Sequence, residues 1–272
     1  METRHIEFEH TRLAVHLAGR GPLAMLIHGY PLDHRLWLDA LHGPLAARHT
    51  LVAIDLRGHG GSPWCGDAVH TMDTFADDVA AVLRTLGDEP AHTVGLSMGG
   101  YVALALWANH RALVRSLALV DTRAAADGEA ARAARDAAVR TAVEQGRRPL
   151  ATAMLDKLLG KRAPDDPHGL LLRARVTTMA TATPVETIVA DLRGLRDRPD
   201  RTALLSGITV PTLVVVGSDD AITPPAEART MAAAIPGAEL VEVPRCGHLV
   251  PMEDPAAFAA ALGAFWVRVD GA

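Results

Sequence analysis

Lysine is almost missing from this chain: of 27 basic side chains only Lys157 and Lys161 are lysines, and neither stands in a Walker-type loop. A P-loop or Schiff-base mechanism is left without a candidate, since the first needs its lysine in a phosphate-binding loop and the second needs a desolvated amine. Cysteine is equally scarce. Cys65 and Cys246 are too few and too far apart for a disulfide framework or a CxxC redox site, so two reduced thiols are expected, as in a cytoplasmic protein. Cys246 stays in view because it lies just ahead of His248. The 13 histidines include no HExxH and no other close pair at zinc-ligand spacing, so no metal is expected. No long basic run interleaved with aromatics occurs, and the net charge of −5 speaks against a nucleic-acid partner. Also lacking is an uncharged apolar stretch of about 18 residues, the length that spans a membrane. The opening METRHIEFEHTRLAVHLAGRGP mixes charge with apolar residues and has no signal-peptide core, so a soluble cytoplasmic protein without a membrane partner is expected.

With 272 residues, 49% hydrophobic and 22% charged, the chain exceeds a small module and falls short of two full domains. One catalytic-sized domain with an insertion is expected, able to bury a sizeable core despite 17 prolines and 23 glycines. Leu23 to Ile27 is a continuous apolar run, as in a parallel strand covered on both faces, and it closes on His28-Gly29. The pattern recurs at Leu51 to Ile54, His92 to Leu96, Leu117 to Val120 and Leu213 to Val216, with a further strand at Leu240 to Val243. Between strands, Phe75, Val79, Val82, Leu83 and Leu86 form a helical stripe opened by Asp73 or Thr74 and closed by Gly87. Phe258, Leu262, Phe265, Trp266 and Val269 form another, behind the start signal Asp254-Pro255. Ile6 to Phe8 and Leu13 to Leu17 alternate instead and fit an antiparallel hairpin at one edge.

Strands alternating with helices predict the α/β class, with right-handed crossovers and a mostly parallel sheet clad on both faces. Alternation stops between Thr122 and about Leu205, where Ala/Arg-rich helical sequence takes over. We read 122–205 as a helical cap inserted into a core of 1–121 and 206–272. The insertion carries 15 basic and 11 acidic side chains, a net +4 that leaves −9 for the rest of the chain. Those charges read as a solvated surface rather than a funnel for anionic substrates.

The strand ending at Leu96 runs into Gly95-Leu96-Ser97-Met98-Gly99-Gly100, and an apolar helical segment follows. This GxSxG sequence sits between strand and helix, as a nucleophile elbow requires; the competing reading is a glycine turn around a helix-capping serine. In an elbow the glycines meet a steric demand, because a sharp turn leaves no room for Cβ atoms beside the serine. A serine hydroxyl is a weak nucleophile and needs a base, which in turn needs an orienting group. Asp219 and Asp220 follow one strand; His248 follows another, in the loop Pro244-Arg245-Cys246-Gly247-His248. Either aspartate suits the acid role, with the other capping a helix that starts at Pro224, and Asp121 at another strand end is a further candidate. An oxyanion needs preorganised donors, for which the backbone N–H groups of Met98 and Tyr30 are chosen, the latter from His28-Gly29-Tyr30-Pro31. Asp55-Leu56-Arg57-Gly58-His59-Gly60-Gly61-Ser62 lacks GxGxxG spacing and a following helix, and reads as structural.

HGYPLDHRLW, DLRGHGGS, GLSMGGYVALAL, GSDDAITPP and GHLVPMEDP together resemble the successive signature loops of the α/β-hydrolase fold family, over essentially the whole chain. The resemblance implies an α/β-hydrolase fold with a helical cap, Ser97 as nucleophile, Asp220 as acid and His248 as base. Within the family the chain resembles 3-oxoadipate enol-lactonase-like esterases and cofactor-free haloperoxidase relatives. Related haloalkane dehalogenases and epoxide hydrolases place aspartate at the elbow, so serine here disfavours an alkyl-enzyme route. Hydrolysis of a small-molecule ester or lactone with a small to medium uncharged acyl group, through an acyl-enzyme and without a cofactor, is the expected reaction. Perhydrolysis, C–C bond hydrolysis and cyanohydrin cleavage use the same triad, and a non-catalytic ligand-binding homologue is the remote alternative. Tyr30, Met98, Leu249 and Val250 are expected to wall an apolar chamber beneath the cap. Oligomeric state has no signature here.

Overall fold

Each continuous apolar run becomes an interior strand of one eight-stranded sheet. The computed structural model describes residues 1–160 and 166–271; Lys161, noted above, lies outside the described residues. Strands β1 (Glu2–Phe8) and β2 (Thr11–Gly19) form the expected antiparallel hairpin, and β2 also pairs antiparallel with β4 (Thr50–Ile54). The others, β3 (Leu23–Ile27), β5 (Ala91–Leu96), β6 (Val114–Val120), β7 (Thr212–Gly217) and β8 (Glu239–Val243), run parallel. Their order is β1-β2-β4-β3-β5-β6-β7-β8. The chain leaves β3 toward β4 and returns to place β5 on the other side, which makes the β3/β5 crevice the switch point where open α/β sheets build their sites. Register aligns the C-terminal edge, with Ile27 beside Gly95, Leu96 beside Val120 and Gly217 beside Val243.

Period-two alternation splits the core into two layers. Met25, Ile27, Val52 and Ile54 face one cluster, with Phe75, Val79 and Val102. Ala24, Leu26, Leu51, Ala53 and Val94 face the other, with Trp37, Phe258, Leu262 and Trp266. Each such leucine or isoleucine, buried completely, stabilises the fold by roughly 1.5–3 kcal/mol.

Helices α1 (Leu38–Leu41), α2 (Met72–Leu86), α3 (Met98–His110), α8 (Pro225–Ala234), α9 (Val250–Glu253) and α10 (Pro255–Asp270) clad the sheet. At α10, Asp254 accepts from the Ala257 amide as the sequence predicts. At α2 the cap differs: Thr71, not Asp73 or Thr74, accepts from the Thr74 amide, because the helix starts one residue before Asp73. Between β6 and β7 lie α4 (Glu129–Gln145), α5 (Arg147–Leu158), α6 (Pro167–Ala180) and α7 (Val185–Asp197), with no strand among the described residues of that stretch. Only Ala142 of α4 is fully buried, against Ile188 and Leu192 of α7. Among the described residues no helix is long and apolar enough to cross a membrane.

Candidate active site

The turn between β5 and α3 is sterically forced. Ser97 has φ 54° and ψ −113°, a left-handed backbone that non-glycine residues rarely adopt. A Cβ on Gly95 would overlap the Gly99 carbonyl, and one on Gly99 would overlap the Ile27 carbonyl. Both glycines are required by contact with backbone, which cannot give way. The Ser97 side chain makes no capping hydrogen bond to α3, so the capping reading of the motif does not hold. Its amide donates to the Val120 carbonyl at 3.0 Å, and Thr122 Oγ1 donates to the Ser97 carbonyl at 2.8 Å.

The loops after β7 and β8 bring Asp220 and His248 together. His248 Nδ1 donates to Asp220 Oδ2 at 2.8 Å, and both residues are buried. The same carboxylate accepts from the Ile222 amide (2.8 Å), the Thr223 amide (3.0 Å) and Thr223 Oγ1 (2.7 Å). Burial alone would raise the Asp220 carboxyl, but the His248 contact and charge and the Thr223 donors hold it below the ordinary carboxylate range. With Nδ1 committed to the acid, Nε2 is the nitrogen left for a substrate proton. Asp219 does not reach His248; its side chain meets Ser218 Oγ. Nor does either aspartate cap the next helix, which begins at Pro225 behind Pro224 without a side-chain cap. Asp121 also misses His248 and instead accepts the amides of Gly217 and Val250.

Ser97 and His248 line one cavity of about 440 Å³. Met98 and Tyr30 line it too, and Met98 opens α3, whose first N–H groups have no intrahelical acceptor and whose dipole favours a developing anion. Gly29 lies so close to the elbow that a Cβ there would meet Leu96 Cδ2 at 3.1 Å and Ser97 Cβ at 3.3 Å. The helices between β6 and β7 supply Ala131, Ala134 and Ala138 of α4, Leu150, Met154 and Leu158 of α5, and Leu192 and Leu195 of α7. Leu249 and Val250, expected as walls, do not line the cavity. Both are completely buried in the core layer behind it, because the chain turns inward after His248 to start α9. Arg123 and Arg135 also line it and are ion-paired, the first with Asp127 and Glu227, the second with Asp127.

Pattern reading overlooked several supports. Thr223, three residues after Asp220, was signalled by the Asp-x-x-Thr spacing of a turn in which the carboxylate accepts from the residues that follow it. His28 accepts from the Leu56 amide through Nε2, and its Nδ1 lies 3.1 Å from the Gly29 carbonyl. Burial, with His59 nearby, pushes His28 down to about 4, so it serves as a neutral strut. The DLRGHGGS loop is structural as expected: Asp55 gathers His16, His34 and the Gly61 amide, and Arg57 clamps Asp78 and Asp67. Folding also assembles ligand-type groups that sequence spacing does not show, His10/Cys65/Asp67, His16/His34/Asp55 and His49/His92/Asp270. Arg57 and Arg115 already pair with Asp67 and Asp270, and none of these residues lines the cavity.

A family model described as the alpha/beta hydrolase family matches residues 24–261. The chain is 31% identical over 252 residues to a pimeloyl-acyl-carrier-protein methyl ester esterase of Neisseria meningitidis, covering 86% of this chain and 90% of that protein. Among solved structures it is similar to a thermophilic esterase from Thermogutta terrifontis, with TM-score 0.93, 33% identity and 99% of each chain covered. It is also similar to the enol-lactonase of Burkholderia xenovorans, with TM-score 0.88, 26% identity, 97% of this chain and 100% of that one.

Proposed function

Because this chain belongs to the alpha/beta hydrolase family, we propose that it hydrolyses small carboxylic esters or lactones through an acyl-enzyme on Ser97. At the coarser level, the family and its esterase-named relatives make it a carboxylic ester hydrolase. The observation that carries the finer reading is the His248–Asp220 contact of 2.8 Å behind a cavity that Ser97, held in a left-handed elbow, also lines.

In this reading His248 Nε2 takes the Ser97 hydroxyl proton as Oγ attacks the carbonyl carbon, and Asp220 stabilises the imidazolium. Negative charge moves to the carbonyl oxygen, held by the Met98 and Tyr30 amides. Collapse expels the alkoxide, which leaves with the proton from His248. A water, giving its proton to His248, then attacks the acyl carbon, and the second collapse returns Ser97 and releases the acid. A lactone gives one hydroxy acid in place of two products. The largely apolar lining supports small to medium acyl groups, with Lys157, Arg123 and Arg135 on its margin and both arginines sharing Asp127 with Arg198; uncharged acyl groups remain the reading. The division into a core of 1–121 and 206–272 with a cap of 122–205 belongs to this proposal. So does a cytoplasmic location, supported by Cys65 and Cys246 forming no disulfide.

The test is a panel of p-nitrophenyl esters of graded chain length, together with lactones, on the wild type and Ser97→Ala. Turnover of several members by the wild type, reduced by about 10³-fold or more in the folded variant, is expected. Equal turnover by both proteins would overturn the reading.

A further inference from the structure

Three consecutive residues at the end of β6 reach all three loops of the proposed triad. The Val120 carbonyl accepts from the Ser97 amide at 3.0 Å. Thr122 Oγ1 donates to the Ser97 carbonyl at 2.8 Å. Between them, Asp121 Oδ1 accepts from the Gly217 amide at 2.9 Å and Oδ2 from the Val250 amide at 3.2 Å. Gly217 ends β7, just ahead of Asp220, and Val250 follows soon after His248. One carboxylate thus bridges the two loops whose separation fixes the His248–Asp220 hydrogen bond.

Nothing about packing alone asks for an acid here. Asp121 is completely buried, and its backbone sits at φ 45°, where a non-glycine residue is strained. Its charge is opposed by burial and by the neighbouring Asp220, which push the carboxyl well above its ordinary range against the pull of the two amides. A buried, strained acid beside another acid is unfavourable unless the bonds it makes need that shape. Two divergent acceptors on one short side chain are what two amides from different loops require; a serine has a single oxygen, and asparagine turns a donor toward one of the amides. We propose that Asp121 is a positioning residue, whose carboxylate sets the distance between the Asp220 loop and the His248 loop. The proposal rests on the triad reading above.

The groups facing this carboxylate are Asp220 and Glu253, with His248 beyond them. Releasing one loop slackens the Asp220–His248 contact and misplaces the imidazole for proton transfer. The experiment measures kcat and KM for Asp121→Asn and Asp121→Ser on a p-nitrophenyl ester, with cooperative urea unfolding as the check that each variant is folded. In a folded variant we expect kcat to fall by about 10²-fold, as for a misplacement near 1 Å, with KM within about twofold. Either folded variant with wild-type kcat would overturn the proposal. A loss of unfolding free energy that leaves kcat in place would do the same, because that is a structural role alone. Should Ser97→Ala keep the esterase activity, the triad reading itself fails, whatever the Asp121 variants do.

Discussion

The floor and the roof of the cavity are built by opposite means. On the floor, Gly95, Gly99, Gly217 and Gly247 each lie where a Cβ would collide with backbone, and buried carboxylates collect amides from neighbouring loops. On the roof, α4 faces the cavity with alanines and has one fully buried residue. The roof is tied to the core along several helices: Leu155 and Leu158 of α5 and Leu172, Val176 and Met179 of α6 are buried in the core layer with Trp37, the Leu158 carbonyl accepts from the His248 amide at 2.8 Å, and α7 adds polar ties. Thr183 donates to the Pro31 carbonyl, Thr187 to that of Gly58, and Gly194 admits His70 so closely that a Cβ would overlap the His70 carbonyl. Asp191 of α7 meets His70 Nδ1 at 2.8 Å and His59 Nε2 at 3.0 Å, all three side chains completely buried. In the proposed reading, the positions that handle protons are thus fixed by backbone geometry, while those that would touch the rest of a substrate are set by side-chain size on helices packed against the core. The first kind tolerates almost no change; the second is open to it.

The largest expected effect lies on the floor. Asp220→Asn should lower kcat by about 10³- to 10⁴-fold through loss of His248 orientation, whereas Asp219→Asn should leave it within twofold. Steady-state kinetics on one ester decide the matter, and the reverse result would move the acid to Asp219. Next comes a polar tie of the roof. Asp191→Asn leaves His59 and His70 buried without a charge partner and should destabilise the protein by about 3–5 kcal/mol, read by urea unfolding.

That loss should depend on pH. Burial would lower His59, but the Asp191 charge and contact outweigh it and hold it raised, while the two histidines hold Asp191 below its ordinary range. A raised histidine contributes fully below its ordinary value near 6.5 and loses that contribution as pH rises through its folded value. A lowered aspartate contributes above its ordinary value near 3.8 and loses it as pH falls through its folded value. The difference between wild type and Asp191→Asn should therefore be greatest between those limits, and smaller at pH 9 than at pH 5.5. An equal difference at both pH values would contradict the ion pair.

Smaller still is the contrast between packed and open backbone. Gly99→Ala forces a Cβ into the Ile27 carbonyl and should destabilise by about 1–3 kcal/mol. Ala133→Leu, on the exposed side of α4, should stay within about 0.5 kcal/mol in the same unfolding assay. The smallest effect is one of selectivity. Ala138→Leu narrows the cavity and should reduce kcat/KM for an octanoyl ester by about tenfold while an acetyl ester stays within twofold. Equal loss on both esters would mean that Ala138 does not bound the acyl group.

What could be read from the sequence follows the same division. The sheet was legible because its strands are covered on both faces and read as unbroken apolar runs, and the elbow because its glycines answer contacts that no other residue can make. Asp220 and Asp219 were not separable from spacing; the choice turns on which carboxylate the loop aims at His248, and only a three-dimensional bond reports that. Leu249 and Val250 were misassigned because an apolar residue next to a site histidine reads the same whether the chain runs along the cavity or dives behind it. Thr71 replaced Asp73 and Thr74 at the start of α2 because neighbouring polar residues compete for a cap with similar propensities. The roof showed its helices but not its occupant, since alanines on a helix face reveal a gap without its shape.

The most direct test of the central claim is intact-mass spectrometry after treatment with a fluorophosphonate, which bonds covalently to an activated serine. One adduct is expected on the native protein, none on Ser97→Ala, and strongly slowed labelling of His248→Ala. An unlabelled native protein, or an adduct that persists in Ser97→Ala, would contradict the claim.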